Sequence, residues 1–331
     1  MRRSLLIRAF AILLALTFVL PLAGCGKKNA KPADTGKTET DPDGDVILTL
    51  GEDEFRIRYT EYNYYFMANA NDEANEGLSY NDITTKTIYN IMMTYAEKKL
   101  ADKYGYTISD DQKALIDDKI QATKDQYSTE QEYKEALRKA RLDEETMRKV
   151  LEYAQIDIGL REYVLDESSG IIKADDATVT ADINSNFRRC KIIVFKTEDG
   201  DDNANGVMDK ALQALQEYKN GADFDELLAK YNEDDLEDTE NGYYFTKGML
   251  SEEVEAEVEN MEEGEVLNKL VKTDSALCIV QRLPLDESYV SSHFEELRGY
   301  YMTREYNTLV QDTANEMGAL LCDNYDSYNF G

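Results

Sequence analysis

The sequence predicts an α+β protein in which a small sheet-containing segment lies within a longer, mostly helical chain. Residues 188–283 open with a short apolar run of strand character, residues 190–195, and close with another, residues 271–282. Between them, apolar residues recur at helical spacing in three stretches, which indicates the order strand, helix, helix, strand, helix, strand, strand. Because 331 residues exceed what one hydrophobic core usually serves, we expect the rest of the chain to fold separately.

The first folded region is predicted over residues 46–182. Two short strand patterns, residues 46–50 and 55–59, come first, and the spacing turns helical from Thr60 onward. The region is also rich in tyrosine. Tyrosine suits a packed aromatic core, and it equally suits an amphipathic surface that binds extended polypeptide, so both interpretations stay open.

Several helix starts in this region carry recognisable N-terminal caps. Ser109 with Gln112, and Thr129 with Glu132, have the spacing of capping boxes, in which each side chain binds the other residue's free amide. Asp143 has the character of an N-cap for a long helix that follows it.

The negative net charge of the chain argues against some classes of binding partner. The formal net charge is −30, whereas nucleic-acid binding needs a basic surface, so we expect no nucleic-acid partner. The same charge argues against an anionic membrane surface as a partner of the folded regions. The helical region shows no metal-ligand spacing, phosphate loop or nucleophile elbow, and we expect neither a metal nor a cofactor.

Residues 1–24 have the pattern of a bacterial lipoprotein signal peptide. Three arginines precede an apolar run over residues 9–20, and the run ends in Leu-Ala-Gly-Cys at residues 22–25. This motif resembles a lipobox, which implies that Cys25 is lipidated and anchors the protein to the outer face of the bacterial cell membrane. An ordinary cleaved signal peptide followed by a chance cysteine is the alternative. Residues 25–45 are polar and are predicted to form a flexible tether.

Three glycine-marked motifs lie inside the sheet-containing segment. They are Gly-Ala-Asp-Phe-Asp-Glu-Leu at residues 221–227, Lys-Gly-Met-Leu at residues 247–250 and Glu-Gly-Glu-Val at residues 263–266. With the surrounding element order, they resemble the parvulin-type (PpiC, rotamase) peptidyl-prolyl isomerase domain. The helical region resembles the N-terminal chaperone region of PrsA-like and SurA-like foldases.

The resemblance implies a domain plan for the chain beyond the tether. A helical chaperone-like domain is expected over residues 46–182 and an inserted parvulin-like domain of order β-α-α-β-α-β-β over residues 183–284. A C-terminal helix within residues 285–331 is expected to pack on the chaperone domain and complete it.

The resemblance also implies the site residues. In the parvulin family that this segment resembles, the site is a cleft with one histidine on the first strand, one on the last strand, and an aspartate or cysteine after the second helix. The matching positions here are Lys191, Cys278 and Asp234, with Asp234 chosen from an acidic run over residues 233–235. Thr273 matches the family's hydroxyl before the last strand. The proline pocket is assigned to Phe245, Leu250 and Val254.

Replacement of both histidines changes the expected activity. Prolyl isomerisation breaks no bond, and the site must favour a twisted amide over a barrier of about 18–20 kcal/mol. A lysine charge and a small thiol do not reproduce a histidine hydrogen-bond network. On the family alignment, Lys191 and Cys278 are expected to face one cleft, and Cys190 to face away. A Cys190–Cys278 disulfide is therefore not expected, and both are predicted to be buried free thiols.

The predicted function is that of an extracytoplasmic, lipid-anchored foldase or chaperone that binds unfolded or secreted polypeptides. Its parvulin-like domain is predicted to be degenerate, and its only contact with the membrane is expected through the N-terminal lipid. Two alternatives remain. One is an active peptidyl-prolyl cis-trans isomerase, and the other is a peptide- or wall-binding lipoprotein without foldase activity.

Overall fold

The structure is a computed structural model that describes residues 45–197, 206–234, 241–328 and 330. The predictions for the signal peptide, for the lipidation of Cys25 and for the tether up to residue 44 lie outside the described residues. The chain divides into two compact units. The helical unit comprises the described residues of Met1–Ser169 and Asn307–Gly331, and the sheet unit comprises those of Gly170–Tyr306. The predicted α+β class, with one region inserted into the other, is confirmed.

The helical unit begins with a β-hairpin and continues through a series of helices. Its elements, in chain order, are β1 (Val46–Leu50), β2 (Phe55–Arg58), α1 (Tyr59–Ala70), α2 (Tyr80–Tyr104), α3 (Asp110–Lys124), α4 (Glu130–Lys139) and α5 (Glu144–Leu165). None of the helices in the described part of the chain is both long and apolar enough to cross a membrane.

Side-chain caps fix where these helices begin. Ser109 and Gln112 form the predicted capping box, and Asp143 accepts a hydrogen bond from the Thr146 amide at 2.6 Å. Thr129 forms only half of a box. Its hydroxyl accepts from the Glu132 amide, but the Glu132 carboxylate binds the amide of Ser128 instead of that of Thr129. The predicted starts of α3, α4 and α5 are therefore confirmed, with a looser cap at α4.

A buried carboxylate joins three helices of the helical unit. Glu61 on α1 is 2% exposed and accepts hydrogen bonds from the Tyr95 hydroxyl of α2, at 2.7 Å, and from the Lys149 ammonium of α5, at 2.8 Å. The Lys149 ammonium also lies over the rings of Tyr95 and Tyr153. Burial raises the pKa of Tyr95 well above its ordinary value, and the Glu61 charge raises it further. Tyr95 therefore stays a hydrogen-bond donor.

Five tyrosines of the helical unit serve its core. Tyr59, Tyr62 and Tyr95 are buried, as are Tyr133 and Tyr153. The C-terminal residues of the chain add a second set of rings, which pack on those of α1. The ring contacts join Tyr59 with Tyr328 and Phe330, and Tyr62 with Tyr325 and Phe330. The core interpretation therefore accounts for part of the tyrosine content, and others, such as Tyr89 and Tyr163, are exposed.

The C-terminal end also adds a strand to the hairpin. After the last long helix, β7 (Ala319–Leu321) pairs antiparallel with β1, and the resulting sheet has the order β2-β1-β7. Cys322 follows this strand as a half-buried free thiol. The strand was not predicted, because residues 285–331 were assigned to a helix alone.

The sheet unit contains the predicted order of strands and helices. Its elements are α6 (Asp176–Asn186), β3 (Arg188–Lys196), α7 (Val207–Lys219), α8 (Phe224–Tyr231), β4 (Tyr243–Phe245), α9 (Glu252–Asn260), β5 (Val271–Lys272), β6 (Ala276–Leu283), α10 (Glu287–Ser292) and the first part of α11 (Phe294–Met317). The strands form one antiparallel sheet of order β4-β3-β6-β5.

The sheet unit extends beyond the predicted limits of 183–284 at both ends. Arg304 on α11 explains the extension, because its guanidinium donates to Asp182 on α6 at 2.7 Å and to the Thr246 hydroxyl after β4 at 2.8 Å. Arg298 also binds Asp176 at 2.5 Å. The first part of α11 thus belongs to the sheet unit, and the helical unit receives its remainder from Asn307 onward.

Two hydrophobic clusters occupy the two faces of the four-stranded sheet. The first includes Ile193, Phe195, Leu277 and Ile279 and is covered by α7 and α8. The second is covered by α9 and consists of Cys190, Ile192, Phe245, Val254, Val258, Met261, Val271, Ala276, Cys278 and Val280. The faces are called here the α8 face and the α9 face. Burial of apolar side chains on both faces is the main stabilisation of the unit.

Replacement of Glu61 tests the buried junction in the helical unit. Glu61→Gln keeps the shape of the side chain but leaves the Lys149 ammonium without its charged partner. Because Lys149 is 31% exposed, we expect a reduction in the free energy of unfolding of about 1–3 kcal/mol, less than for a fully buried pair. Urea unfolding followed by circular dichroism measures the change. Glu76→Gln, at an exposed position, is the control, and equal midpoints for the two variants would contradict the role of Glu61.

Candidate functional site

The register of β3 against β6 decides which predicted site residues share a face. Lys191 lies opposite Gln281, and Val194 lies opposite Cys278. Paired residues in an antiparallel sheet point to the same side, and successive residues alternate. Cys278 therefore points to the α9 face with Val194 and Cys190, whereas Lys191 points to the α8 face. The prediction that Lys191 and Cys278 face one cleft is wrong.

Lys191 has a partner of its own on the α8 face. Its ammonium donates to Asp225 in the first turn of α8 at 2.6 Å, and its stem is buried. The backbone of Gly242 passes close by. A Cβ atom there would lie 2.4 Å from the Cys190 carbonyl oxygen and 3.0 Å from Cγ of Lys191, and φ is +71°. Lys191 therefore links β3 to α8 beneath a close backbone crossing, which is a structural role.

The predicted pocket residues come together with Cys278 on the α9 face. Phe245, Val254 and Cys278 belong to one cluster, and Leu250 packs against it. Phe245 is 4% exposed, Val254 is 3% exposed and Cys278 is 4% exposed. Side chains this deeply buried fill the space between sheet and helix instead of lining an open cleft. The structure thus assembles the pocket residues but packs them into a core.

Asp234 lies close enough to Cys278 to act on it electrostatically. Burial raises the pKa of the Cys278 thiol to about 12, and the charge of Asp234 contributes to the rise. The preceding residues run along the edge of β3. Asn232 Oδ1 accepts from the amides of Val194 and Asp234, and the Glu233 amide donates to the Val194 carbonyl at 2.9 Å. Asp234 is thereby held beside the strand on backbone hydrogen bonds.

Within the acidic run, Glu233 has different partners. Its carboxylate accepts from the Lys196 amide at 2.9 Å and from the Lys210 ammonium. Burial is the largest single influence on the pKa of Glu233 and raises it. The two hydrogen bonds and the charges of both lysines together outweigh burial, so the pKa lies below its ordinary value. Residue 235 lies outside the described residues. Among the described members of the run, Asp234 is the one associated with Cys278.

Thr273 closes a turn. Its hydroxyl donates to the Ala276 carbonyl at 3.3 Å, and its amide donates to the same oxygen at 2.9 Å. The Ser275 amide in turn donates to the Thr273 hydroxyl at 3.4 Å. These bonds hold the hairpin between β5 and β6, so the hydroxyl is engaged within its own turn.

Cys190 and Cys278 are both buried free thiols, as predicted. The two thiols were predicted not to form a disulfide because they would face opposite sides of the sheet, but both side chains lie on the α9 face. Their separation along the strands is the reason instead. Cys190 pairs with Arg282, four residues along β6 from Cys278. Four residues of strand span about 13 Å, well beyond the reach of a disulfide.

Glu255 is a site residue that the sequence interpretation missed. Its carboxylate accepts hydrogen bonds from the amides of Gly248, Met249 and Leu250 at 3.0, 2.9 and 2.8 Å. It thereby fixes the Lys-Gly-Met-Leu loop against α9 and positions Leu250. The only signal in the sequence was an acidic residue in the first helical turn after a glycine-containing loop. Acidic residues are common at ordinary helix starts, so this signal did not mark Glu255 as a site residue.

The chemistry available on the α9 face is limited. A buried thiol with a raised pKa is a poor nucleophile, since the thiolate is the reactive form. His293, the single histidine of the chain, stacks on Tyr289 with ring centres 3.9 Å apart and is hydrogen-bonded to the Tyr289 carbonyl. Across the described ranges, no group of three histidine, cysteine or acidic side chains is placed to bind a metal.

Comparison with known families identifies the sheet unit's domain. Residues 193–283 match the family model of the rotamase, PPIC-type PPIASE domain. The predicted parvulin-type domain is therefore confirmed over this segment. A search of curated proteins gives no match.

Solved structures of PrsA proteins and of a SurA-like chaperone match most of the chain. PrsA from Bacillus subtilis matches at 18% identity over 72% of this chain and 84% of that chain, with a TM-score of 0.27. The foldase protein PrsA from Streptococcus pneumoniae matches at 20% identity over 80% and 89%, with a TM-score of 0.33. A structure from work on two SurA-like chaperones of Campylobacter jejuni matches at 17% identity over 78% and 94%, with a TM-score of 0.23.

Thiol reactivity tests whether the α9 face is closed in solution. Iodoacetamide at pH 8 is expected to modify Cys322 before Cys190 and Cys278, because both buried thiols have raised pKa values and little exposure. Peptide-level mass spectrometry over time measures the order, and the same reaction in urea, where all three should react, is the control. Labelling of Cys278 in the folded protein as fast as Cys322 would indicate an open cleft.

Loop positioning by Glu255 is tested by amide exchange. Glu255→Ala removes the acceptor of three amides, so the amides of Met249 and Leu250 are expected to exchange faster with deuterated solvent. Glu253→Ala, at an exposed position of the same helix, is the matched control and should leave them unchanged. Hydrogen-exchange mass spectrometry is the measurement, and equal rates in the two variants would show that Glu255 does not hold the loop.

Proposed function

We propose that this chain, whose residues 193–283 form a PPIC-type domain, is an extracytoplasmic foldase that is lipid-anchored at Cys25. In this proposal it binds unfolded or secreted polypeptides, and its PPIC-type domain has weak isomerase activity or none. The observation that carries the weak or absent isomerase activity is the placement of Lys191 and Cys278, the two positions aligned with the family histidines, on opposite faces of the sheet.

The loss of isomerase activity follows from what the site lacks. Lowering a barrier of about 18–20 kcal/mol requires groups that stabilise the twisted amide more than the planar one. Lys191 is committed to Asp225, and Cys278 is buried beneath α9. With Phe245 and Val254 also buried, a proline ring would have to displace core side chains to enter.

Polypeptide binding is supported by the surface of the helical unit. Large apolar side chains are exposed there, including Leu78, Tyr80, Tyr89, Leu115, Tyr163, Leu320 and Leu321. Exposed apolar residues beside polar ones suit contacts with the apolar segments of unfolded chains. The net charge of −30 keeps such a surface soluble and favours basic clients.

The anchor rests on the sequence alone. The three arginines, the apolar run over residues 9–20 and the lipobox-like motif ending at Cys25 occur in the required order. A lipid at Cys25 and the polar tether after it would hold the folded units outside the cell, close to the membrane. Mass spectrometry of the membrane-extracted protein would detect the lipid on this cysteine.

Two assays on one preparation test the foldase proposal. The full chain is expected to suppress aggregation of a chemically unfolded client at stoichiometric amounts, and to leave prolyl isomerisation of a test peptide at its uncatalysed rate. The double variant Lys191→His/Cys278→His is the control for the site. It should not gain isomerase activity, because the two positions lie on opposite faces.

Each contrary outcome identifies a different function. An isomerase rate clearly above the uncatalysed one would identify a working isomerase. A gain of activity in the double variant would show that the two positions do meet in one site. Absence of client protection would remove the foldase and favour a lipoprotein that binds one peptide or a wall component.

A further inference from the structure

The edge strand β7 exposes apolar side chains on the surface of the helical unit. Leu320 is 70% exposed and Leu321 is 36% exposed, whereas Leu48 and Leu50 of the neighbouring β1 are buried. Edge strands are normally protected by charge, proline or a covering element, because an unpaired edge accepts another strand. β7 contains only Ala319, Leu320 and Leu321, so its side chains offer no charge.

The hydrogen-bond pattern shows which backbone groups are available. The Cys322 amide donates to the Ile47 carbonyl at 3.0 Å, and Leu320 lies opposite Thr49 in the same register. Antiparallel ladders alternate between residues that bond the partner strand and residues that face away. Leu320 and Cys322 therefore bond β1, and the N–H and C=O groups of Ala319 and Leu321 point outward.

These outward groups have no partner within the described ranges of the chain. The free edge thus presents two donors and two acceptors at the spacing of an extended strand. A helical segment cannot match this spacing, because its own backbone groups are bonded internally. An extended polypeptide can match it, and its side chains would alternate between the face of Leu320 and the face of Leu321.

The charges around the edge select among extended segments. Residues 307–331 contain no lysine or arginine. The exposed acidic residues in the described part of this stretch are Asp312, Glu316, Asp323 and Asp326. A second copy of this chain, with its own charge of −30, would be repelled at such an edge, whereas a segment flanked by basic residues would be attracted.

We propose that the free edge of β7 binds an extended apolar segment flanked by lysine or arginine, and adds it as a further strand to the sheet β2-β1-β7. That such segments belong to unfolded client polypeptides rests on the proposed foldase function. Backbone hydrogen bonds to Ala319 and Leu321 supply the pairing, and Leu320 and Leu321 supply the apolar contact. The basic flanks are attracted by the acidic residues on either side of the strand.

The first test changes the peptide and leaves the protein untouched. A labelled peptide with alternating leucine and threonine between flanking lysines is titrated with the full chain and followed by fluorescence anisotropy. A second peptide carries N-methyl groups on every amide of its apolar segment, which removes its strand-pairing donors on both edges, and a third carries glutamate flanks. We expect binding of the N-methylated peptide, and of the glutamate-flanked peptide, to be about tenfold weaker.

The second test changes the protein. Leu320→Lys removes apolar area and adds positive charge at the edge, and should weaken binding of the lysine-flanked peptide about tenfold. Leu212→Lys makes the same change at an exposed leucine of α7, outside the polypeptide-binding surface proposed above, and should leave binding unchanged. Bound peptide should also slow exchange of the Ala319 and Leu321 amides, measured by hydrogen-exchange mass spectrometry.

The outcomes separate this site from the foldase function. Equal binding of parent and N-methylated peptides, or no binding at all, overturns the strand-addition site. If the Leu320→Lys variant then protects an unfolded client as well as the unchanged protein does, the foldase proposal stands without the strand-addition site. If the peptides behave as expected but no client is protected, the edge site stands and the foldase proposal fails.

Discussion

The pairing of β3 with β6 is the constraint on which the sheet unit depends. It runs from Arg189 opposite Leu283 to Lys196 opposite Ala276 and assigns every side chain of both strands to one face. The α8 face receives Lys191 and the α9 face receives Cys278. Both clusters, the burial of Cys190 and Cys278, and the separation of Lys191 from Cys278 follow from this one register. A shift by one residue would exchange the faces of a whole strand.

The sequence predicted the elements of this unit better than their relative placement. Periodicity and glycine-marked motifs are local, and they gave the order of strands and helices. The faces of Lys191 and Cys278 depend on how two strands far apart in the chain align, and no local pattern encodes that alignment. The predicted pocket residues Phe245 and Val254 lie in one cluster with Cys278, but their burial depends on the packing of α9.

The helical unit shows a similar limit. Caps such as Ser109 and Asp143 are recognisable within a few residues, and they marked true helix starts. The strand β7 has three residues, too few for any periodic signal, and its partner lies at the other end of the chain. The division of α11 between the two units depends on ion pairs such as that of Arg304 with Asp182, which only the folded arrangement brings together.

The pairing of β1 with β7 has a consequence for how the protein is made. Leu48 is synthesised long before its partner Leu321, because the whole sheet unit lies between them in the chain. The second edge of the β1–β2 hairpin is therefore covered only after the sheet unit and β7 have been synthesised, whereas the sheet unit is contiguous and can fold earlier. During that interval the protein is itself incompletely folded, and its apolar strand β1 lacks one of its two partners.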